Sequence, residues 1–136
     1  MGSQPTLSVE ACWELLGSRN VGVLALTRRA LPTIVPVQYH VDDDGIMICP
    51  GHGEIPERSL DGAVVALSVG SLEPTTRSGW FVEVLGTTRP VPVQVAIDCG
   101  PSTTPAQIVR LEAVTVSGRW MDVCPFISKS GSGTGV

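Results

Sequence analysis

Apolar residues recur along this chain in two periods, and the change from one to the other divides it. Between residues 8 and 17, Val9, Cys12, Trp13 and Leu16 return at helical spacing. Ser8 precedes them as an N-cap, Glu10 and Glu14 suit the early turns, and Gly17 is a stop, which predicts a short amphipathic helix of about three turns at most. Beyond it the pattern is that of strands. Residues 20–27 are apolar on both faces, as in a closed or doubly covered sheet. Arg28-Arg29-Ala30 reads as a turn, and residues 31–41 as one long strand running into the Asp42-Asp43-Asp44-Gly45 hairpin tip. Alternation puts Thr33, Val35, Val37, Tyr39 and Val41 on one face of that strand and Ile34, Pro36, Gln38 and His40 on the other. Pro36 cannot donate to a ladder and belongs at an edge or a bulge.

The same pattern predicts strands over residues 46–49, 63–69, 79–91 and 108–117, with a further short one over 93–97. Breakers punctuate them at Pro50-Gly51-His52-Gly53, at Asp61-Gly62, over a polar loop at 70–78, over 100–105 and at Gly118-Arg119-Trp120. In the strand at 79–91, Trp80, Val82 and Val84 share a face opposite Phe81, Glu83 and Leu85, and the isolated Gly86 signals a bulge or a close backbone approach. Six or seven strands at hairpin spacing behind one helix imply a small antiparallel barrel. Residues 1–7 read as a flexible leader, 8–128 as the barrel domain and 129–136 as a disordered Gly/Ser tail.

Composition narrows the function classes. At 136 residues the chain is long enough for one domain that buries about two thirds of its unfolded surface. The net charge of −4 argues against nucleic acid, and no apolar run approaches the roughly 20 residues of a membrane span. The reading is a cytoplasmic protein. Cys12, Cys49, Cys99 and Cys124 are too far apart for a metal knuckle or a Cys-x-x-Cys motif, so reduced, mostly buried thiols are expected. Two histidines without motif spacing suggest no metal site. Lys129, in the tail, is the only lysine, which excludes Schiff-base and phosphate-loop lysine chemistry in the folded body.

Five short signatures then occur in a familiar order: the helix from Leu7 to Leu16, Val-Gly-Val-Leu-Ala-Leu from Val21, Pro36-Val37-Gln38-Tyr39 before an Asp-Gly turn, Gly79-Trp80 with the strand to Gly86, and the closing segments around Ile108 to Leu111 and Val116 to Arg119. In this order the chain resembles the pyridoxamine 5′-phosphate oxidase-like family of flavin-nucleotide-binding split barrels. The resemblance implies a mostly β, antiparallel split barrel with an N-terminal helix that forms a homodimer, with FMN in the clefts between subunits. Pro36, Val37, Gln38 and Tyr39 would lie beside the flavin ring, and Trp80 would line the cleft. The family's phosphate clamp, an Arg or Thr at the end of the third strand and a Lys soon after, is missing from Cys49-Pro50-Gly51-His52-Gly53-Glu54-Ile55. His52, Arg58 and Ser59, with backbone amides near Gly51 and Gly53, are the residues that would rebuild an anion nest.

The implied function is an FMN-dependent oxidoreductase acting on a small organic molecule, a chemistry that asks few ionisable residues of the protein. One alternative is a flavin-free cyclase or isomerase of secondary metabolism, holding an apolar substrate in a reactive conformer with His40 and Tyr39 as catalytic groups beside Gln38 and Glu83. A second is a non-catalytic module that binds flavin or haem.

Overall fold

The computed structural model describes residues 6–50, 57–91 and 108–122. It contains helix α1 (Val9–Gly17), strands β1 (Val21–Arg28), β2 (Leu31–Asp42) and β3 (Gly45–Cys49), a single 3₁₀ turn (Glu57–Leu60), and strands β4 (Val64–Glu73), β5 (Ser78–Pro90) and β6 (Val109–Asp122). The six strands close into an antiparallel barrel in the order β1-β2-β3-β6-β5-β4. Two of its seams are short. β1 meets β4, and β3 meets β6, over three residue pairs each, whereas β5 and β6 are paired along almost their whole length from Ser78↔Asp122 to Pro90↔Val109. The closed sheet is thus split into a β1-β2-β3 half and a β4-β5-β6 half.

Inward and outward positions alternate along β1, β2, β4 and β5, whereas β3 is buried on both faces over Ile46, Met47, Ile48 and Cys49. Leu24 and Leu26, Val35, Val37 and Tyr39, Ile46 and Ile48, Val65, Leu67 and Val69, Val82 and Val84, and Val109 and Leu111 all point inward and fill the barrel. Each large side chain buried this way contributes roughly 1.5–3 kcal/mol of transfer free energy. Both mouths are stoppered. α1, too short to hold together alone, is capped by the Ser8 hydroxyl accepting from the Ala11 N–H, and it seats Cys12 and Leu16 against β2, β5 and β6. At the other mouth the 3₁₀ turn inserts Leu60. There the buried Thr88 hydroxyl donates to the Leu60 carbonyl at 2.7 Å, so this polar group is satisfied inside the core.

Several expectations are corrected. β4 does not end near residue 69; it runs to Glu73 and pairs Gly70–Glu73 with Ser78–Phe81, leaving only a tight turn where a long loop was expected. β6 runs through Gly118-Arg119-Trp120 to Asp122, and Thr6 and Leu7 are tied to it, Thr6 by a bridge to Arg119 and Leu7 by its N–H donating to the Gly118 carbonyl. Cys49 is disulfide-bonded, with its partner outside the described residues, so the thiols are not all reduced; Cys12 is free and buried. The strand expected at 93–97, the loop at 100–105 and the tail at 129–136 lie outside the described residues. Among the described residues no helix is long and apolar enough to cross a membrane, and no cluster of metal-ligating side chains occurs.

Candidate functional site

A barrel packed in this way has its ligand surface outside. On β2 the exposed alternates are Ile34, Pro36, Gln38 and His40. Register continues their rows across the neighbouring strands: Ile34 beside Ala25 and then Ala66, Pro36 beside Val23 and then Ser68, and Gln38 beside Val21. Ala66 and Ser68 lead in turn to Leu85 and Glu83 on β5. The result is a broad outer face made of Val21, Val23, Ala25, Ile34, Pro36, Val64 and Leu85, with Glu83 set half-buried in it. Val64 is 74% exposed, Ile34 71% and Val21 56%, a concentration of accessible apolar surface that marks interaction sites.

Pro36 sits where its chemistry requires. The Tyr39 N–H donates to the Asn20 carbonyl on the β1 side, so the even-numbered positions of β2 turn their backbone nitrogens toward β3. Among the described residues the β2–β3 ladder begins at Gln38↔Cys49, and Pro36 leaves no donor missing from it.

The sequence-selected residues separate into two groups. Pro36, Gln38 and His40 share the outer face. Val37 and Tyr39 point into the barrel, where Val37 is 3% and Tyr39 4% exposed. The Tyr39 hydroxyl donates to the Leu16 carbonyl at 2.6 Å and so fastens the last turn of α1. Burial pushes its phenol up to about 12, with the nearby Arg19 guanidinium opposing. Trp80 also lies on the inward face of its strand, and Arg19 covers it, with the guanidinium carbon 5.8 Å from the ring centroid. Arg19 Nη2 donates to the Ser71 hydroxyl at 3.1 Å. Ser59 is half-buried on the 3₁₀ turn, Arg58 belongs to that turn by its backbone, and His52 lies outside the described residues.

Further round the outer surface the sheet is charged. Arg110 grips Asp42 through two hydrogen bonds of 3.0 and 3.1 Å, and Asp42 also accepts from the Asp44 N–H at 2.9 Å. The Arg110 hydrogen bonds hold the Asp42 carboxyl below its ordinary value. Arg89 and Arg110, which face each other across the β5–β6 ladder, are kept apart electrostatically by their own carboxylates, because Arg89 pairs with Glu112. His40 stands at the boundary between this charged strip and the apolar face, opposite Met47 in the ladder.

Arg19 is the residue that sequence reasoning missed. It lies just before a strand without any motif, and only the closure of β1 against β4 brings it to Ser71 and Trp80. As a whole, the outer face offers an exposed apolar surface with the Gln38 amide and the His40 imidazole at one end of it, while the Arg19 guanidinium lies behind the sheet, over Trp80.

A sequence model of the family described as pyridoxamine 5′-phosphate oxidase matches residues 8–97. No curated protein matches the sequence. Among solved structures, the FAD binding protein from Mycobacterium smegmatis superposes with a TM-score of 0.69 at 21% identity, over 88% of this chain and 99% of that one. An FAD-binding protein from Mesorhizobium loti gives 0.65 at 23% identity, over 87% and 96% of the two chains. The FAD and heme binding protein from Mycobacterium smegmatis gives 0.65 at 17% identity, over 96% and 80%. At these identities the likeness establishes the split-barrel fold.

Proposed function

The chain belongs to the pyridoxamine 5′-phosphate oxidase family, and from that membership and the geometry of its outer face we propose that it is a flavin-dependent oxidoreductase acting on a small organic molecule. The flavin, FMN in this reading, lies on the outer face of β1 and β2, over Val21, Val23 and Pro36. A second copy of the chain covers it. The observation that carries the reading is the contrast between a barrel filled with apolar side chains and an exposed, apolar exterior.

The residues present suit such a group. A bound flavin supplies hydride and electron transfer, and the protein's part is to place it and to keep water away. Val21, Val23, Ala25 and Ile34 form a floor without hydrogen-bonding groups of its own. Gln38 carries both a donor and an acceptor, and His40 adds an imidazole at the edge of the floor. Tyr39 and Trp80 act from behind this surface by fixing α1 and Arg19. Covering by a second copy follows from the size of the apolar area and from the tendency of such patches to pair with themselves about a two-fold axis. Similarity to three structures of the same fold described as FAD binding supports a flavin as the cofactor, without choosing between FMN and FAD.

Titrating the purified protein with FMN and with FAD, followed by flavin fluorescence and by sedimentation, tests the proposal. Saturable quenching by FMN on a dimeric species is expected. Failure of both flavins to bind at high micromolar concentration overturns it.

A further inference from the structure

The geometry points to a site for a small organic carboxylate at the far end of β6, with Arg119 and Thr6 as its hydrogen-bond donors. An open cavity of about 470 Å³ lies there, lined by Thr6, Arg119, Met121 and Asp122. Small-molecule pockets begin at about 300 Å³, so a ligand the size of one substituted aromatic ring fits.

The backbone brings the two donors together. Arg119 is the ladder partner of Phe81, which faces outward between the inward Trp80 and Val82. On its other edge β6 holds the chain before α1: Thr6 bridges Arg119, and the Leu7 N–H donates to the Gly118 carbonyl at 2.9 Å. Residues directly opposite in an antiparallel pair project to the same side, with Cβ atoms about 5 Å apart. The Thr6 hydroxyl and the Arg119 guanidinium therefore stand side by side at the cavity. Met121, two residues further along the same face, gives it an apolar wall.

Arg119 is also the cation with charge to offer. Arg110 is held by Asp42 and Arg89 by Glu112, while Arg19 is engaged by Trp80 and Ser71. Arg29 and Arg77 sit in hairpin turns. Arg119 borders the cavity, and its side chain forms no hydrogen bond or ion pair with another described residue. A guanidinium grips both oxygens of a carboxylate, and the neighbouring hydroxyl adds a third donor. A phosphate dianion would ask for more positive charge than one arginine supplies, the more so with the Asp122 carboxylate on the rim. Strands β4 and β5 separate β6 from β1, so this site is distinct from the surface proposed for the flavin.

Benzoate is the probe, and benzyl alcohol, with the same ring and no charge, separates the donors from the apolar wall. Two-dimensional NMR of the full chain, titrated with each, reads binding at Thr6, Arg119 and Met121. Benzoate is expected to shift these signals saturably and to bind at least about tenfold more tightly than benzyl alcohol, with an affinity that falls as salt is raised. Arg119→Gln should abolish the preference, Arg119→Lys should keep part of it, and Thr6→Val should lose a few-fold. Thermal melts of each variant report on folding independently. Signals at these residues unmoved by benzoate, equal binding of the two probes, or an undiminished preference in Arg119→Gln overturns the site and leaves the flavin reading as it stands.

Discussion

The Tyr39 hydroxyl donates to the Leu16 carbonyl in a place closed to water, and removing it leaves that carbonyl with only the longer bond from the Arg19 N–H at 3.3 Å. Tyr39→Phe should lower stability by about 1 kcal/mol in a denaturant melt. The phenol also couples folding to alkali. Its folded pKa, about 12, lies above the ordinary 10.0, so the stability it contributes is complete below pH 10 and lost as pH climbs toward 12. Melts across this window should show that loss in the wild type and less of it in Tyr39→Phe. Asp42 has the opposite sign. Its carboxyl is held low by Arg110, so its contribution is present above the ordinary carboxylate range and fades as pH falls through the depressed value. Because the pair is about a quarter exposed, Asp42→Asn should cost only roughly 1 kcal/mol, and the cost should vanish in acid. Residue faces were legible in the sequence on β2, since alternation alone separates Pro36, Gln38 and His40 from Val37 and Tyr39. A run of consecutive strand residues cannot all touch one ligand, and that limits how far a contiguous motif maps onto a site. Arg19 was illegible, because its meaning depends on Ser71 and Trp80, which are distant in sequence.

Turns and bulges decide how the strands register. The β1–β2 hairpin closes with Arg28 opposite Leu31, and both central residues, Arg29 at φ 51° and Ala30 at φ 64°, lie in the left-handed region that a two-residue hairpin of this twist demands. Ala30→Gly should relieve this and raise stability by about 1 kcal/mol, read as a higher denaturant midpoint. Gly86 marks the opposite case. It sits at the register shift between β5 and β6, and a Cβ there would run into the Glu112 carbonyl oxygen. Gly86→Ala should cost on the order of 1–3 kcal/mol, in line with the bulge that its isolation in an apolar strand suggests. Gly118 misled for a physical reason. It reads as a strand stop, but it lies within β6 and lacks a side chain so that Cys12 and Leu7 can approach, its hypothetical Cβ lying 3.0 Å from the Cys12 sulfur. The far end of β4 was misread as loop because Gly70 and Ser71 carry no strand preference. Ten residue pairs with β5 outweigh that local indifference.

For the molecule as a whole, the filled interior and the bare exterior are two sides of one fact: strands apolar on both faces close a barrel and still have apolar surface left over. Val21, Val23 and Ala25 on β1 face outward between Gly22, Leu24 and Leu26, which face inward. The double-sided apolar pattern made closure and a covered outer face legible together, while the identity of the covering group had no local signature. Ile34→Asp should shift the assembly toward monomer in sedimentation without lowering the melting temperature appreciably, since Ile34 touches solvent in the isolated chain. The most direct test of the outer-face claim is to titrate wild type and Val23→Arg side by side with FMN. Val23 is centred on the proposed floor and makes no part of the barrel core. The account predicts saturable binding by wild type and little or none by Val23→Arg at an unchanged melting temperature. Equal binding by both proteins would contradict it.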